Sequence, residues 1–507
     1  MKIQRTFWLV GVLLLSLTIA NFKLDGFTVG AQKTTRNPSL RPEPEKPTTT
    51  TFFNVRVFGA TGDGKSVDTL AINKTIDAAA IAGGGTVFFP AGSYVSVSIR
   101  LKSNVALFLD QGATIVAATP GPGVVYDPPE PNQWDQYQDF GHSHWRNSLI
   151  WGENLENIAI LGTGKIWGKG LVRSGGASRT TAQNEAIRTV PASGPFGYPN
   201  PRDAVEPGWG NKSISLKLCR NVILKDFTIF HGGHFAILAT GVDNLTIDNL
   251  KIDTNRDGID IDACRNVRIS NCTVNSPFDD AICLKSSYGL GFARATENVT
   301  ITNCQVSGYD EGTLLDGTFK REYKRYSHNS TTGRIKFGTE SNGGFKNITI
   351  SNCVFDYSRG LALEAVDGAL LEDVTINNIT MRDITNAPIF IRLGNRARGP
   401  KETTNVGKLR RVIISNIVVY NADPKFGSII SGIPGHSIED LRLSNIRIYS
   451  QGGGTKEQAA RQPPEMENNY PEPVMFGEIP AYGFFIRHVN GLKMDNVEVS
   501  FMTEDLR

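Results

Sequence analysis

The 507-residue chain has few cysteines and histidines and no marked excess of charge of either sign. It contains six cysteines and seven histidines, and 53 basic residues stand against 50 acidic ones, for a net charge of +3. This near balance gives no argument for nucleic acid or a membrane surface as the partner. An anionic substrate stays compatible with it, because a local basic groove can lie within a balanced total.

The N-terminal residues resemble an export signal. Lys2 and Arg5 precede an apolar stretch over 7–20 that is too short to span a bilayer. The pattern predicts a signal peptide over 1–31, with an uncleaved anchor as the alternative, and hence a secreted protein, extracellular or periplasmic. Residues 32–51 are rich in Pro and Thr and predict a disordered tether. No later segment is apolar enough to cross a membrane, so no span is expected once the signal is removed.

One pattern, apolar-x-apolar-x-Asn-apolar-x-apolar, occurs nine times from residue 222 onward. In the copy over 299–306, Val299 and Ile301 share one parity, whereas Cys304 and Val306 have the other. Because side chains alternate along a strand, both pairs can face a core only if the chain bends between them, at Asn303. Asn tolerates left-handed backbone geometry, so each copy predicts two short strands meeting at a corner. The predicted corner residues are Asp226, Asn249, Asn271, Asn303, Asn352, Asn378, Asn416, Asn445 and Asn496.

Where no insertion intervenes, the copies are 22 to 32 residues apart. That spacing suits one turn of a solenoid, so the sequence predicts an all-β, right-handed parallel β-helix forming a single domain over 52–507. Solenoid ends need a cap. The candidate is a helix that Asp68 would cap, with Leu70, Ile72 and Ile76 as its apolar stripe and the glycines at 83–85 as its end.

Two smaller predictions follow from the repeat. Cys272, Cys304 and Cys353 each follow a corner Asn, so they should stack inside the helix as free thiols, with disulfides between neighbours as the alternative. The sequons at Asn298 and Asn347 lie within the repeat and are interpreted as corner residues instead of glycan sites.

Acidic residues one turn apart should converge on one surface. Asp257 precedes Asp279 and Asp280 by 22 and 23 residues. Inverting glycoside hydrolysis needs one carboxylic acid and one carboxylate, and crowding of like charges can raise the pKa of one member. The alternative is that Asp257 belongs, with Asp260 and Asp262, to an acidic stretch that forms corners or binds calcium.

The segment Asn255-Arg256-Asp257-Gly258-Ile259-Asp260 resembles the Asn-Thr-Asp-Gly-Ile-Asp motif of glycoside hydrolase family 28, the polygalacturonases and rhamnogalacturonases. Residues 279–286 resemble the family's paired-aspartate motif, and the likeness covers roughly residues 53 to 500. Further similar segments lie at 58–64, 83–87 and 162–168. The resemblance implies a polygalacturonase-like inverting hydrolase of pectic polysaccharide (pectin, galacturonan or rhamnogalacturonan) that acts as a monomer without cofactor or metal.

The same resemblance implies roles for the aspartates. Either Asp279 or Asp280 would protonate the glycosidic oxygen, and Asp257 with the remaining partner would activate water. Both members of the adjacent pair can line the site only if the backbone bends there, for which Pro277 is a candidate cause.

The sequence departs from the family at two motifs. The Gly-His-Gly motif is expected one turn after the paired aspartates, at 308–312, where the histidine is missing; His328 lies in the insertion that follows. The Arg-Ile-Lys motif aligns at 362–364, where Glu364 suits the hydroxyls of a neutral sugar better than a carboxylate. Rhamnogalacturonan, or exo attack, is therefore an open alternative to galacturonan. The predicted substrate-binding residues are Lys285, His234, Glu364, Arg334 and Arg392.

Two rival functions remain at this stage. A β-helix polysaccharide lyase would use calcium, held by the acidic cluster, and a basic residue that abstracts a proton. A non-catalytic β-helix that binds glycans would tolerate loss of the aspartates.

Overall fold

The computed structural model describes residues 51–138, 143–172, 208–322, 331–402 and 404–507. The predicted signal peptide, and the predicted tether up to residue 50, lie outside these residues. The strands, in chain order, are β1 (Phe52–Asn54), β2 (Asp63–Val67), β3 (Gly85–Phe89), β4 (Gly92–Ser96), β5 (Ile99–Arg100), β6 (Val105–Leu109), β7 (Ala113–Ala117), β8 (Ile150–Glu153), β9 (Glu156–Leu161), β10 (Lys165–Trp167), β11 (Lys212–Lys217), β12 (Arg220–Lys225), β13 (Thr228–Phe230), β14 (Phe235–Thr240), β15 (Asp243–Asp248), β16 (Lys251–Asp253), β17 (Asp257–Asp262), β18 (Arg265–Ser270), β19 (Thr273–Asn275), β20 (Ile282–Ser286), β21 (Thr296–Thr302), β22 (Gln305–Ser307), β23 (Ile335–Ser341), β24 (Phe345–Asp356), β25 (Leu361–Ala365), β26 (Leu370–Arg382), β27 (Ile389–Leu393), β28 (Lys408–Ala422), β29 (Ser428–Ser431), β30 (Ile438–Gly452), β31 (Phe484–Arg487), β32 (Val489–Asn490) and β33 (Lys493–Thr503). Within these described residues, the helices are α1 (Thr69–Ile81), α2 (Lys456–Ala459) and two 3-10 turns, Asp135–Tyr137 and Pro473–Phe476.

Eleven of these strands form one parallel sheet, here called the site sheet, in the order β5, β8, β11, β14, β17, β20, β23, β25, β27, β29, β31. The remaining 22 strands form the rest of the wall, here called the corner sheet. Each strand pairs with the equivalent strand of the next turn, as β17 does with β20 and β18 with β21, both in parallel. The chain is therefore a parallel β-helix, as the repeat predicts.

The alternating residues of every turn enclose one apolar core. Val299, Ile301, Cys304 and Val306 are each at most 1% exposed, which confirms that the two parities face the same interior. In later turns the chain keeps strand geometry through the corner, so β24 runs unbroken past Asn352. The two short strands predicted for each copy are thus separate in early turns and continuous in late ones.

The predicted corners have the expected backbone conformation. All nine corner residues have positive φ, from 50° at Asn496 to 73° at Asp226. Their side-chain amides also bond from turn to turn: Asn416 donates to Asn378 at 3.1 Å and Asn445 donates to Asn416 at 3.0 Å. Each corner therefore combines left-handed geometry with a polar ladder along the helix.

A second ladder was not predicted from the repeat. Seven Asn residues with φ of 53–63° lie at the opposite corner, and each one after Asn104 donates to its neighbour in the preceding turn at 2.8–3.2 Å. The sequon residues Asn298 and Asn347 belong to this ladder, in agreement with their interpretation as corner residues. Its members are Asn104, Asn157, Asn221, Asn244, Asn266, Asn298 and Asn347.

Asn378 allows the two contributions of a corner to be separated. It has φ 55°, donates to Asn352 at 3.1 Å and accepts from Asn416. Asn378→Gly loses the amide bonds but keeps an allowed backbone, whereas Asn378→Ala loses both. We expect Ala to be less stable than Gly by about 1 kcal/mol, measured by urea unfolding. Equal stabilities would show that backbone strain does not contribute at the corners.

The N-terminal helix forms as predicted, with two corrections. Helix α1 buries Ile72, Thr75 and Ile76, but Leu70 is 87% exposed and does not belong to its apolar stripe. The Asp68 side chain does not cap the helix; it accepts instead from the backbone N–H groups of Thr61 and Gly62. Leu70 was misassigned because it lies in the first turn, where the helix face turns away from the core.

All six cysteines are buried and unpaired, which agrees with the prediction of free thiols. Cys272, Cys304 and Cys353 lie in the apolar core at successive turns. Within the described residues, no helix has the length and apolar character needed to cross a membrane.

Candidate active site

In the site sheet, β17, β20, β23 and β25 belong to four successive turns, and most of the outward residues named below are charged. Ile259 pairs with Ile282, and Ile282 with Ile335, so the inward residues of β17, β20 and β23 are in register. The next inward row pairs Ile261, Leu284, Phe337 and Leu363 in the same way and extends to β25. Because strand residues alternate, the intervening positions face outward. Outward residues of these strands are Asp260, Asp262, Cys283, Lys285, Lys336 and Glu364.

The three predicted aspartates converge at the start of these strands. One carboxylate oxygen from each of Asp257, Asp279 and Asp280 lies within 4.8 Å of the others. Asp279 and Asp280 occupy the turn between β19 and β20 and not a strand, which is why two adjacent residues can face one site. The backbone fixes the two turns together, since Gly258 N–H donates to the Asp280 carbonyl at 3.0 Å.

Cations hold Asp280 in its ionised form. Arg334 Nε donates to its Oδ1 at 2.8 Å, and Lys336 Nζ lies 3.3 Å from its Oδ2. All three side chains are at most 3% exposed. Burial opposes ionisation, but Lys336, Arg334 and Lys285 outweigh it and hold the pKa of Asp280 well below its ordinary value.

Asp257 has the opposite environment. Its Oδ1 is buried without a hydrogen-bond partner among the described residues. Burial, followed by the charges of Asp260 and Asp279, raises the pKa of Asp257 well above its ordinary value. Asp257 and Asp280 are thus neighbouring carboxyl groups whose pKa values are shifted in opposite directions.

Glu364 forms the far wall of the cluster. It is buried, and its Oε2 lies 3.6 Å from Lys336 Nζ, which also binds Asp280. Burial raises the pKa of Glu364 to about 7, although Lys336 and Arg334 act in the opposite direction.

A segment from the C-terminal part of the chain, residues 453–483 between β30 and β31, lies over this cluster. Glu472 accepts from Arg334 Nη2 at 2.6 Å and from Arg359 Nη1 at 2.9 Å. The Tyr470 hydroxyl accepts from Thr339 at 2.9 Å. The sequence did not indicate these contacts, because Glu472 is 138 residues from Arg334 and follows no motif.

Strand pairing corrects the expected positions of the Gly-His-Gly and Arg-Ile-Lys motifs. The strand next to β20 is β23, so the turn after the paired aspartates presents Arg334-Ile335-Lys336, and not residues 308–312. An Arg-Ile-Lys sequence is thus present, one turn earlier than the expected 362–364. The long insertion before β23 concealed this, and His328 of that insertion lies outside the described residues.

Residues 308–312 lie instead behind the site. Glu311 is fully buried; its Oε1 is 2.8 Å from Nδ1 of the equally buried His231, and its Oε2 accepts from Asn255 at 3.3 Å. Asn255 is two residues from Asp257. This network therefore supports the turn that carries the first aspartate.

Three other predicted binding residues surround the cluster. Lys285 Nζ lies 3.4 Å from Glu340 and 3.7 Å from Asp260. His234 is buried just before β14, the strand that pairs with β17, and its ring packs against Phe235. Arg392 of β27 is opposite Glu364 in register, but its guanidinium donates to the carbonyls of residues 465 and 466 and so holds the covering segment in place.

The predicted fold and family agree with comparisons to known proteins. Residues 52–205 match the family model "Rhamnogalacturonase A/epimerase, pectate lyase-like", and residues 207–319 match "Right handed beta helix region". A probable polygalacturonase of Vitis vinifera is 25% identical, covering 77% of this chain and 73% of its own. An exo-poly-alpha-D-galacturonosidase of Dickeya chrysanthemi is 24% identical, covering 86% and 79%. The crystal structure of a Thermotoga maritima exopolygalacturonase superposes with a TM-score of 0.64 at 19% identity, covering 90% of this chain and 93% of its own.

These matches confirm the hand of the helix and the family resemblance. The chain has a right-handed parallel β-helix fold, and its sequence is similar to those of polygalacturonases. Both of these relatives match most of this chain and most of their own length.

Proposed function

We propose that the chain is a secreted, inverting glycoside hydrolase that cleaves pectic polysaccharide at the Asp257, Asp279 and Asp280 cluster. The observation that carries this proposal is the convergence of three carboxyl groups, of which Asp280 contacts two cations while Asp257 has a buried oxygen without a hydrogen-bond partner among the described residues. Hydrolysis of a glycosidic bond needs one carboxyl group that keeps its proton and one that has lost it. The similarity to polygalacturonases supports the substrate class.

The electrostatics suggest a division of roles. Asp280, ionised by Arg334 and Lys336, would accept a proton from the attacking water. The proton for the glycosidic oxygen would come from Asp257, whose buried carboxyl group lies beside Asp279 and Asp280. The family resemblance instead gives the acid to Asp279 or Asp280, but here Arg256 pairs with Asp279 and Arg334 with Asp280, so the electrostatics favour Asp257.

The stereochemical course is supported by the family resemblance alone. Inverting hydrolases usually separate their two carboxyl groups by about 6.5–9.5 Å to leave room for water, and retaining ones by about 5–5.5 Å. The three aspartates here approach within 4.8 Å. That bound joins one oxygen of each carboxylate and not the centres of the carboxyl groups, so inversion is supported by the family resemblance and tested by the anomer of the first product.

The covering segment supports attack at a chain end. Residues 453–483 bring Tyr470 and Glu472 against Thr339 and Arg334, on the β23 side of the aspartates. A polysaccharide would have to stop there, which is the geometry of an exo-acting enzyme. The Dickeya chrysanthemi relative is itself named as an exo-acting galacturonosidase.

Calcium-dependent lyase chemistry is the second candidate, since the three carboxylates are spaced closely enough to hold a divalent cation. Two observations weigh against it. Both oxygens of Asp280 face protein cations, and Arg256 pairs with Asp279. The oxygens that calcium needs are therefore already neutralised by the chain.

Product analysis in EDTA tests the proposal. Purified mature protein is incubated with polygalacturonan and with rhamnogalacturonan. Saturated products that require the aspartates support hydrolysis. Unsaturated products that absorb in the ultraviolet and require added calcium indicate a lyase, and no product on any pectic polymer indicates a glycan-binding protein.

Lys336→Met should shift the pH dependence in a defined direction. A lowered pKa keeps Asp280 ionised in acid, so wild-type kcat/KM should stay level toward low pH and fall as pH rises through the raised pKa of the acid. Removing Lys336 removes a cation that lowers the pKa of Asp280, so the acidic limb should move to higher pH. Lys346→Met, at a partly exposed position of the corner sheet, is the control. An unchanged acidic limb in Lys336→Met would show that Asp280 is not the base.

A further inference from the structure

Glu472 places a carboxylate inside the cluster from a distant part of the chain. Its Oε1 accepts from Arg334 and its Oε2 from Arg359, at 2.6 and 2.9 Å. Arg334 also binds Asp280 through Nε. One guanidinium therefore joins the candidate base to Glu472.

Every cation at this end of the cluster already faces a carboxylate. Lys336 lies between Asp280 and Glu364, and Arg256 pairs with Asp279. With Arg334 and Arg359 bound to Glu472, a uronate carboxylate that entered here would meet Glu472 instead of an available guanidinium. Like charges in a buried site repel strongly.

Glu472 is held in this position by the packing of its own segment. Tyr470 accepts from Thr339, and the guanidinium of Arg396 lies 5.8 Å from the Tyr470 ring centre. Phe476 and Ile479 pack with residues of the site sheet in a small apolar cluster with Ala362, Phe390 and Ile429. Arg392 and Arg487 donate to the carbonyls of residues 463–466. The carboxylate is thus a fixed part of the site wall.

We propose that Glu472 is a specificity-determining residue that excludes a uronate from the sugar position over Arg334 and Arg359. That position takes a neutral sugar, whose hydroxyls can donate to Glu472 and to Glu364. This inference depends on the proposed function, and it narrows the substrate to a pectic polymer in which a neutral sugar alternates with or borders the uronate.

Glu472→Gln tests this inference with a matched pair of ligands. Galactose and galacturonate differ only at C6, where one has a hydroxymethyl group and the other a carboxylate. Wild-type protein should bind galactose more tightly than galacturonate in an NMR titration. Glu472→Gln removes the carboxylate that Arg334 and Arg359 bind, and charge-assisted hydrogen bonds from these two guanidinium groups should shift the ratio of the two dissociation constants toward galacturonate by about tenfold or more.

Three further variants control the result. Glu478→Gln lies on the same segment and pairs with Arg461 away from the cluster, so it should keep the wild-type ratio. Glu472→Asp keeps the negative charge and should also keep the wild-type ratio of dissociation constants. The double variant Glu472→Gln, Arg359→Gln also lacks the Arg359 guanidinium and should lose most of the shift toward galacturonate.

Two results would overturn the inference. One is a wild-type protein that binds galacturonate as tightly as galactose, which decides the question even if Glu472→Gln does not fold. The other is a folded Glu472→Gln variant with an unchanged ratio. If no variant cleaves any pectic polymer, the proposed hydrolase activity fails, while the binding ratio still shows whether Glu472 excludes a carboxylate.

Discussion

Replacement of Asp280 by asparagine is expected to lower kcat on the preferred pectic polymer by about 10²–10⁴-fold, the usual contribution of a general base. Asparagine has nearly the same shape but cannot accept a proton from water. Arg334 and Lys336 would remain in place, because the amide oxygen can still accept from Arg334. Substrate binding should therefore change much less than kcat.

The measurement is initial rate by reducing-end release, beside a urea unfolding curve for each protein. Asp316→Asn, at an exposed position of the turn over 311–317, is the matched control and should keep full activity. A nitrophenyl glycoside, whose leaving group needs no protonation, should not restore Asp280→Asn but should partly restore a variant of the acid. An Asp280→Asn protein with more than a tenth of wild-type kcat would rule out Asp280 as the base.

Replacement of Phe337 by alanine should cost about 3–5 kcal/mol of stability, the range for removing a buried aromatic ring. Phe337 is fully buried beneath Arg334 and Lys336, between Leu284 and Leu363 of the adjacent turns. Its ring also packs edge-on against Phe345, with ring centres 5.6 Å apart. The cavity would lie directly under the candidate site.

Urea unfolding followed by circular dichroism measures this loss. Phe292→Ala is the control, because Phe292 is 51% exposed and its removal should change stability by less than about 0.5 kcal/mol. Similar unfolding curves for the two variants would contradict the assignment of Phe337 to the core.

The fold could be predicted because the parity of the apolar residues changes within each copy of the repeat. Alternation changes parity at Asn303 and its equivalents, and only a left-handed corner resolves that change while burying both sides. The φ values at all nine corners show this solution directly. Leu70 was misassigned because it is two residues before Ile72, about 200° away around an α-helix, and so lies on the face opposite the buried stripe.

The aspartates of the site were predictable for the same reason. In a solenoid, residues one turn apart become neighbours, so the 22-residue interval between Asp257 and Asp279 already implies convergence. The structure brings Asp257, Asp279 and Asp280 together, while their catalytic roles remain a proposal.

The cations and Glu472 could not be placed from spacing. The insertion before β23 lengthens that turn, so Arg334 is 54 residues from Asp280 although it is one turn away. Glu472 reaches the cluster through a segment between two copies of the repeat that are 51 residues apart. Such contacts depend on how a long loop folds back, and no periodic signal in the sequence encodes that path.

The anomeric configuration of the first product, followed by proton NMR in EDTA, tests the central claim most directly. The wild-type protein should release products with saturated sugar ends, and the first-formed anomer should be opposite in configuration to the cleaved bond. Asp280→Asn should give no such signal. An unsaturated product would contradict hydrolysis, and a first-formed anomer of retained configuration would contradict water activation by Asp280.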